Sequence, residues 1–118
     1  MLVRNTLVYG NVSDADGGGV KGATLENCTI VRNQAAQGGG VSAIGANSKN
    51  LIVYDNFATV ESNNCYNVRG ITYSCTTPLI PGEGNIAAAP RFYNPGSGYG
   101  LDATPGDWRL RGSSPCRD

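Results

Sequence analysis

The sequence predicts an all-β chain wound as a parallel β-helix, a solenoid of about three to four rungs finished by an irregular capping tail. The first observation is a set of asparagine-bounded heptads, Asn5-Thr-Leu-Val-Tyr-Gly-Asn11, Asn27-Cys-Thr-Ile-Val-Arg-Asn33 and Asn50-Leu-Ile-Val-Tyr-Asp-Asn56, whose starts lie 22 and then 23 residues apart. The second is a glycine triplet: Gly17-Gly-Gly-Val20 recurs 21 residues later as Gly38-Gly-Gly-Val41. The third is that nothing between the asparagines has the helical spacing i, i+3, i+4, while the heptad interiors are rich in Val, Ile, Thr and Tyr, which suit a pleated strand and not a helix.

Aligning the heptads creates columns with chemical character. Val8, Ile30 and Val53 form one, and Thr6, Cys28 and Leu51 form another of the same parity, so both are expected to face inward. A period near 22 residues is too long for one strand and too short for a strand with a crossover helix, which needs roughly 30 residues. Two or three short strands per repeat are expected. In the second repeat these are Val20-Lys21, Ala23 to Glu26 and Cys28 to Val31. Stacked rungs place equivalent residues ~4.8 Å apart and pair every backbone group with the rungs above and below. Asn5, Asn27 and Asn50, with Asn11, Asn33 and Asn56, suit the corners for two reasons: asparagine tolerates a left-handed backbone, and stacked amides form hydrogen-bonded ladders. The glycine triplets permit a sharp bend where a side chain would collide.

The 118 residues suggest one domain, in which residues 1–76 carry the rungs and residues 77–118 form the tail. Nine basic and nine acidic residues cancel, without the basic cluster that nucleic acid requires, and no stretch is long and apolar enough to span a bilayer. Neither partner is expected, and no cofactor. The chain enters its repeat at Met1-Leu-Val-Arg-Asn without a charged leader or apolar segment, so it reads as having no signal peptide. Its first rung has an open edge, and the expectation is the C-terminal end of a longer protein or a short reading frame descended from one, able to self-associate through that edge.

The run Gly17-Gly-Gly-Val20, Leu25-Glu-Asn-Cys-Thr-Ile30, Asn33, Gly38-Gly-Gly-Val41 resembles the bacterial right-handed parallel β-helix repeats of the pectate-lyase-like superfamily. Ile71-Thr-Tyr-Ser-Cys75, Gly84-Asn-Ile86, Pro90-Arg-Phe92, Gly106-Asp-Trp-Arg-Leu110 and Ser114-Pro-Cys116, followed by Asp118, are similar in order and spacing to the end of the β-helix in choice-of-anchor Q domain proteins. The resemblance covers nearly the whole chain and implies a secreted or surface-displayed bacterial β-helix. Ala89 departs from the family pattern, where an acidic residue commonly precedes the proline.

From Thr77 onward prolines and glycines punctuate the chain so often that coiling is expected to stop. Ile71-Thr-Tyr-Ser74 is read as replacing the Val8-type strand in a degenerate last rung. Phe92, Trp108 and Leu110 are expected to cover the apolar interior of that rung as a cap. A disordered linker is the competing reading. Cys65 and Cys75 flank a segment that doubles back, which suggests a disulfide, against two free thiols. Cys28 reads as a small buried hydrophobe. Cys116 stays free or reaches Cys28 if the tail folds back.

The carboxylates do not share columns in adjacent rungs, so the paired acids of a glycosidase or lyase are not assembled, and the chain reads as non-catalytic. Asp14-Ala-Asp16-Gly17 resembles a fragment of a calcium loop but lacks further acids, and a polar turn is the alternative. Asn11-Val-Ser13 and Asn27-Cys-Thr29 match glycosylation sequons that a bacterial origin leaves without force. The better surface candidate is the outward column Tyr9, Val31 and Tyr54, flanked by Arg32 and Asp55. Two tyrosines one rung apart stand ~9.6 Å from each other, near the spacing of successive sugar rings. The competing reading is that the tail or another chain covers them. The function these residues suggest is architectural or adhesive, with polysaccharide or cell-surface glycan as partner. The alternatives are the end of a polysaccharide lyase or hydrolase whose catalytic rungs lie upstream, and a small self-assembling β-helix.

Overall fold

A computed structural model describes residues 1–116. It is an all-β solenoid of about three turns whose sheets are built by parallel stacking of successive coils. The first coil contains β1 (Leu2–Arg4), β2 (Leu7–Tyr9) and β3 (Val20–Lys21); the second contains β4 (Thr24–Glu26), β5 (Thr29–Val31), β6 (Gln34–Gln37) and β7 (Val41–Ser42). The third contains β8 (Ile52–Tyr54), β9 (Phe57–Glu61) and β10 (Cys65–Tyr66), and β11 (Cys75–Thr76) begins a partial fourth. Parallel pairing of β2, β5, β8 and β11 forms the central sheet, in which Val8, Ile30, Val53 and Thr76 stand in one file.

The repeat therefore contains four short strands, one more than expected. The missed strand is β6, which pairs with β9 and whose Gln-Ala-Ala-Gln sequence carries no apolar alternation. A second correction concerns the last coil. Thr72 bridges Lys49 and so continues the β1 and β4 column, while Cys75 and Thr76 take the central-sheet position that Ile71 to Ser74 was expected to fill.

The two asparagine columns divide the two tasks between them. Asn5, Asn27 and Asn50 turn corners with φ of 51°, 55° and 57°, the left-handed region that costs asparagine least after glycine. Asn11, Asn33 and Asn56 point inward as a ladder. The side-chain oxygens of Asn33 and Asn56 each accept from both the backbone N–H and the side-chain amide of the asparagine one coil above, at 2.9–3.0 Å. Asn56 passes the ladder to Asn64, which donates to the carbonyl and hydroxyl of Thr77. Asn33 is fully buried. Such an amide is tolerable inside only because every polar atom is partnered, since each one left unpaired costs about 1–3 kcal/mol.

The glycine triplets are explained by what lies against them. A Cβ on Gly19 would stand 2.9 Å from the Asn33 amide nitrogen, and one on Gly40 would stand 2.7 Å from that of Asn56. The last glycine of each triplet is therefore the space into which the ladder fits, while Gly18 and Gly39 lie against backbone carbonyls of the neighbouring coil. Around it close Leu25, Cys28, Ile30, Val41, Leu51, Val53 and Ile71. Full burial of each large aliphatic contributes roughly 1.5–3 kcal/mol before entropy is counted.

The tail does not cap with the expected residues. Ile80, joined by Val68, packs beneath the core, and Asn85 donates to the carbonyls of Ile71 and Ile80, so the lower end is closed by residues just after the last coil. Beyond Ile86, the chain turns back up the outside of the central sheet. There β12 (Phe92–Asn94) and β13 (Asp107–Leu110) pair antiparallel. This strap reaches the first coil, where Trp108 meets Tyr9. Asp118 lies outside the described residues.

Replacing Asn56 with alanine is expected to destabilise the protein by about 3 kcal/mol in chemical denaturation, because it removes donors to Ile30 and Tyr54 and the acceptor for Asn33. Asn27→Gly, which retains the left-handed corner and removes an exposed side chain, is expected to change stability by no more than about 0.5 kcal/mol. Equal losses in the two variants would contradict this division of roles.

Candidate functional site

The strap and the coil flank enclose an open groove of about 860 Å³. Asn5, Thr6, Leu7, Tyr9, Asn27 and Thr29 form one wall, and Pro105 to Arg109 form the other. The coil wall follows from strand parity: Leu7, Tyr9 and Thr29 are outward positions of β2 and β5, and Asn5 and Asn27 are the left-handed corners leading into them. The strap wall is set by β13, in which Trp108 is anchored by its indole N–H donating to the Pro95 carbonyl at 3.2 Å.

At the groove's centre the Tyr9 and Trp108 rings lie 4.7 Å apart between centroids, inclined by 47°. Beside them Arg109 grips Asp107 fork to fork, with Nε on Oδ1 at 2.9 Å and Nη2 on Oδ2 at 2.7 Å. This charge-assisted pair holds the Asp107 carboxyl down at about 2, against an unperturbed value of about 3.9. Arg109 also lies over the Tyr93 ring at 5.4 Å. The result is an aromatic surface bordered by hydroxyls, carboxamides and a fixed ion pair, a composition that suits a polyhydroxylated ligand with an apolar ring face.

The outward column singled out in the sequence is largely engaged by the strap. Val31 is fully buried. Arg32 is only 9% exposed, donates to the Pro95 and Gly96 carbonyls at 2.9 and 3.0 Å, lies 3.8 Å from Asp55 and sits over the Tyr99 ring. Burial raises the Asp55 carboxyl, and Arg32 opposes that rise. Tyr54 is half-buried, and its phenol is pushed up chiefly by desolvation. Tyr9 alone in the column keeps substantial exposure, at 40%. The competing expectation, that the tail covers this column, describes its lower part.

Asp16 is held by Ser42 at 2.6 Å and Lys21 at 2.9 Å, and these bonds, Ser42 first, lower its carboxyl; Asp14 is exposed. Among the described residues no three His, Cys, Asp or Glu side chains converge on a cation position. The expected Cys65–Cys75 disulfide is a correction: both are free thiols, in different sheets, with Cys65 paired to Val41 and Cys75 to Ile52. Burial pushes the Cys65 thiol up to about 12. The cysteine that reaches Cys75 is Cys116.

Sequence reasoning missed Asp107, Trp108 and Arg109 as site residues because it assigned this motif to an end cap. The signal was nonetheless present: Leu7-Val8-Tyr9 and Leu51-Ile52-Val53-Tyr54 are apolar on both parities, the mark of parallel strands buried on both faces. Something had to lie on the outside of that sheet.

These features define a parallel β-solenoid with a returning strap. No family model, curated protein or solved structure matches the chain.

The Asp107 carboxyl is expected to titrate in the folded protein with a midpoint near 2 by carboxyl NMR, and Arg109→Ala is expected to return it to the ordinary carboxylate range. Because its folded value lies below the unfolded one, the pair's contribution is complete above about pH 4 and disappears as pH falls through the folded midpoint. An ordinary midpoint in the parent protein would show that the ion pair does not persist in solution.

Proposed function

We propose that this chain is a non-catalytic β-solenoid segment of a secreted or surface-displayed bacterial protein, and that it contacts glycans through the groove between Tyr9 and Trp108. The observation that carries the reading is the pair of exposed Tyr9 and half-buried Trp108 beside the Asp107–Arg109 fork, with Asn5, Asn27 and Thr29 opposite. A sugar ring laid on Tyr9 or Trp108 would place its hydroxyls within the reach of these polar groups. The bacterial and extracellular setting rests on the motif resemblance to pectate-lyase-like repeats and to the end of the β-helix in choice-of-anchor Q domain proteins.

Asp16, Glu26, Asp55 and Asp107 each lie against a lysine or arginine. Carboxylates engaged in this way favour binding over the paired acid and base work of a glycosidase or lyase. The rod supplies rigidity, because its strands hydrogen-bond to the coils above and below them.

A second reading, association of two copies through the first coil, is favoured by one observation. Leu2, Leu7 and Val12 are each nearly half exposed there, and the upper edges of β1, β2 and β3 have no neighbouring strand among the described residues. A concentration-dependent increase in mass by light scattering is the expected sign; a constant monomer mass would dismiss it.

For the groove, Trp108→Ala is expected to weaken retention on an array of soluble bacterial and plant oligosaccharides by roughly tenfold, the equivalent of about 1.4 kcal/mol. Tyr9→Ala is expected to weaken it comparably, while Val60→Ala, at an exposed position away from the groove, leaves it unchanged. Unchanged retention in both aromatic variants, or no retention by the parent protein, would contradict the glycan reading.

A further inference from the structure

A second cavity, of about 400 Å³, lies lower on the outside of the central sheet, and Cys28, Cys75 and Cys116 all line it. The three thiols are held differently. Cys28 belongs to the core file, and its S–H points at the carbonyls of Glu26 and Val3, 3.3 and 3.5 Å away. Cys75 occupies an outward position of β11, fixed by its pairing with Ile52 and its bridge to Ile86. Cys116 is delivered to the same cavity by the end of the strap, through a turn in which its N–H donates to the buried Ser114 hydroxyl at 3.0 Å and Ser114 N–H donates to the Arg111 carbonyl.

We propose that Cys75 and Cys116 form a reversible disulfide across this shared cavity, tying the far end of the strap to the last coil. Two segments about 40 residues apart in sequence meet there, and both cysteines line the one cavity. The strap's other anchors lie higher on the rod: Pro95, Gly96 and Gly100 are held by Arg32 on the second coil, Trp108 meets Tyr9 on the first, and Tyr99 packs on Phe57 of the third.

The oxidant is a small-molecule or protein disulfide. The hydrogen bond with Cys75 lowers the Cys116 thiol and raises that of Cys75, so Cys116 is the sulfur that ionises first. Its thiolate attacks one sulfur of the oxidant, forming a mixed disulfide and releasing the first thiolate. Cys75 then gives up its proton to solvent and attacks the Cys116 sulfur, expelling the second thiolate. Two protons and two electrons leave the protein, and the oxidant's S–S bond becomes two thiols. Before ionisation the Cys75 S–H has an acceptor in the Ala88 carbonyl at 3.0 Å, so the reduced site is also satisfied.

The test is to incubate the folded full chain with oxidised glutathione, alkylate the remaining thiols, and map peptides without reduction. The expected result is one internal link joining the Cys75 and Cys116 peptides, with Cys28 and Cys65 alkylated after unfolding. The linked form should also melt roughly 10 °C higher than the reduced form, and dithiothreitol should abolish the difference. In Cys75→Ser, Cys116 should accumulate as the glutathione mixed disulfide, whereas in Cys116→Ser no adduct should form at Cys75. Four unlinked thiols in the parent protein, or a link involving Cys28 or Cys65, overturns the proposal. This outcome is independent of glycan binding, which is read separately on the array.

Discussion

The file of amides that runs from exposed Asn11 to buried Asn33, Asn56 and Asn64 constrains everything around it. A side-chain amide can both donate to and accept from its counterparts only if the coils repeat at the spacing of adjacent strands, ~4.8 Å. The residue before each asparagine must turn with a positive φ, as Gly10, Arg32 and Asp55 do at 72°, 58° and 55°. The residue across the coil must have no side chain, which Gly19 and Gly40 provide. A second, smaller file repeats the idea. Ser48 and Ser74 accept from the backbone N–H of Leu25 and Leu51, and Ser74 N–H passes to the Asn85 carboxamide. In both files a short polar side chain caps a backbone donor that the irregular corner leaves without a strand partner.

The second constraint is the two-sided apolarity of the central sheet. Its inner file, Val8, Ile30 and Val53, is buried by coiling, but its outer residues Leu7, Tyr9, Val31, Ile52 and Tyr54 gain nothing from it. The strap resolves this by returning along the flank, and Arg32 fastens it by donating to two strap carbonyls while its own carbonyl accepts from Gly100 N–H. The groove arises where the strap's cover is incomplete, at the top of the rod. Its chemistry is thus a by-product of how the outer face is closed: Tyr9 is supplied by the coil, Trp108 and the Asp107–Arg109 fork by the strap.

The features legible in the sequence were those that recur. The heptads gave the stacking, parity gave the inner files, and the left-handed asparagines and colliding glycines followed from backbone physics applied to repeated positions. Non-recurring features were not legible. Asn64 joins the ladder from only eight residues beyond Asn56, outside the period. Strand β6 is polar and is recognisable only from its partner β9. The groove joins residues near opposite ends of the chain, and no local pattern announces that Trp108 will meet Tyr9. Likewise, proximity in sequence suggested Cys65 for Cys75, but the two belong to different sheets, and the thiol that reaches Cys75 is brought by the strap.

Amide hydrogen exchange resolved by NMR tests the central claim most directly. The backbone N–H groups of Asn33 and Asn56, each held by a carboxamide of the next step in the ladder, should exchange only through global unfolding and rank with the Ile52 amide of the central sheet. Exchange at Asn33 and Asn56 as fast as at an exposed amide would contradict the ladder, and with it the stacking on which the strap and the groove are built.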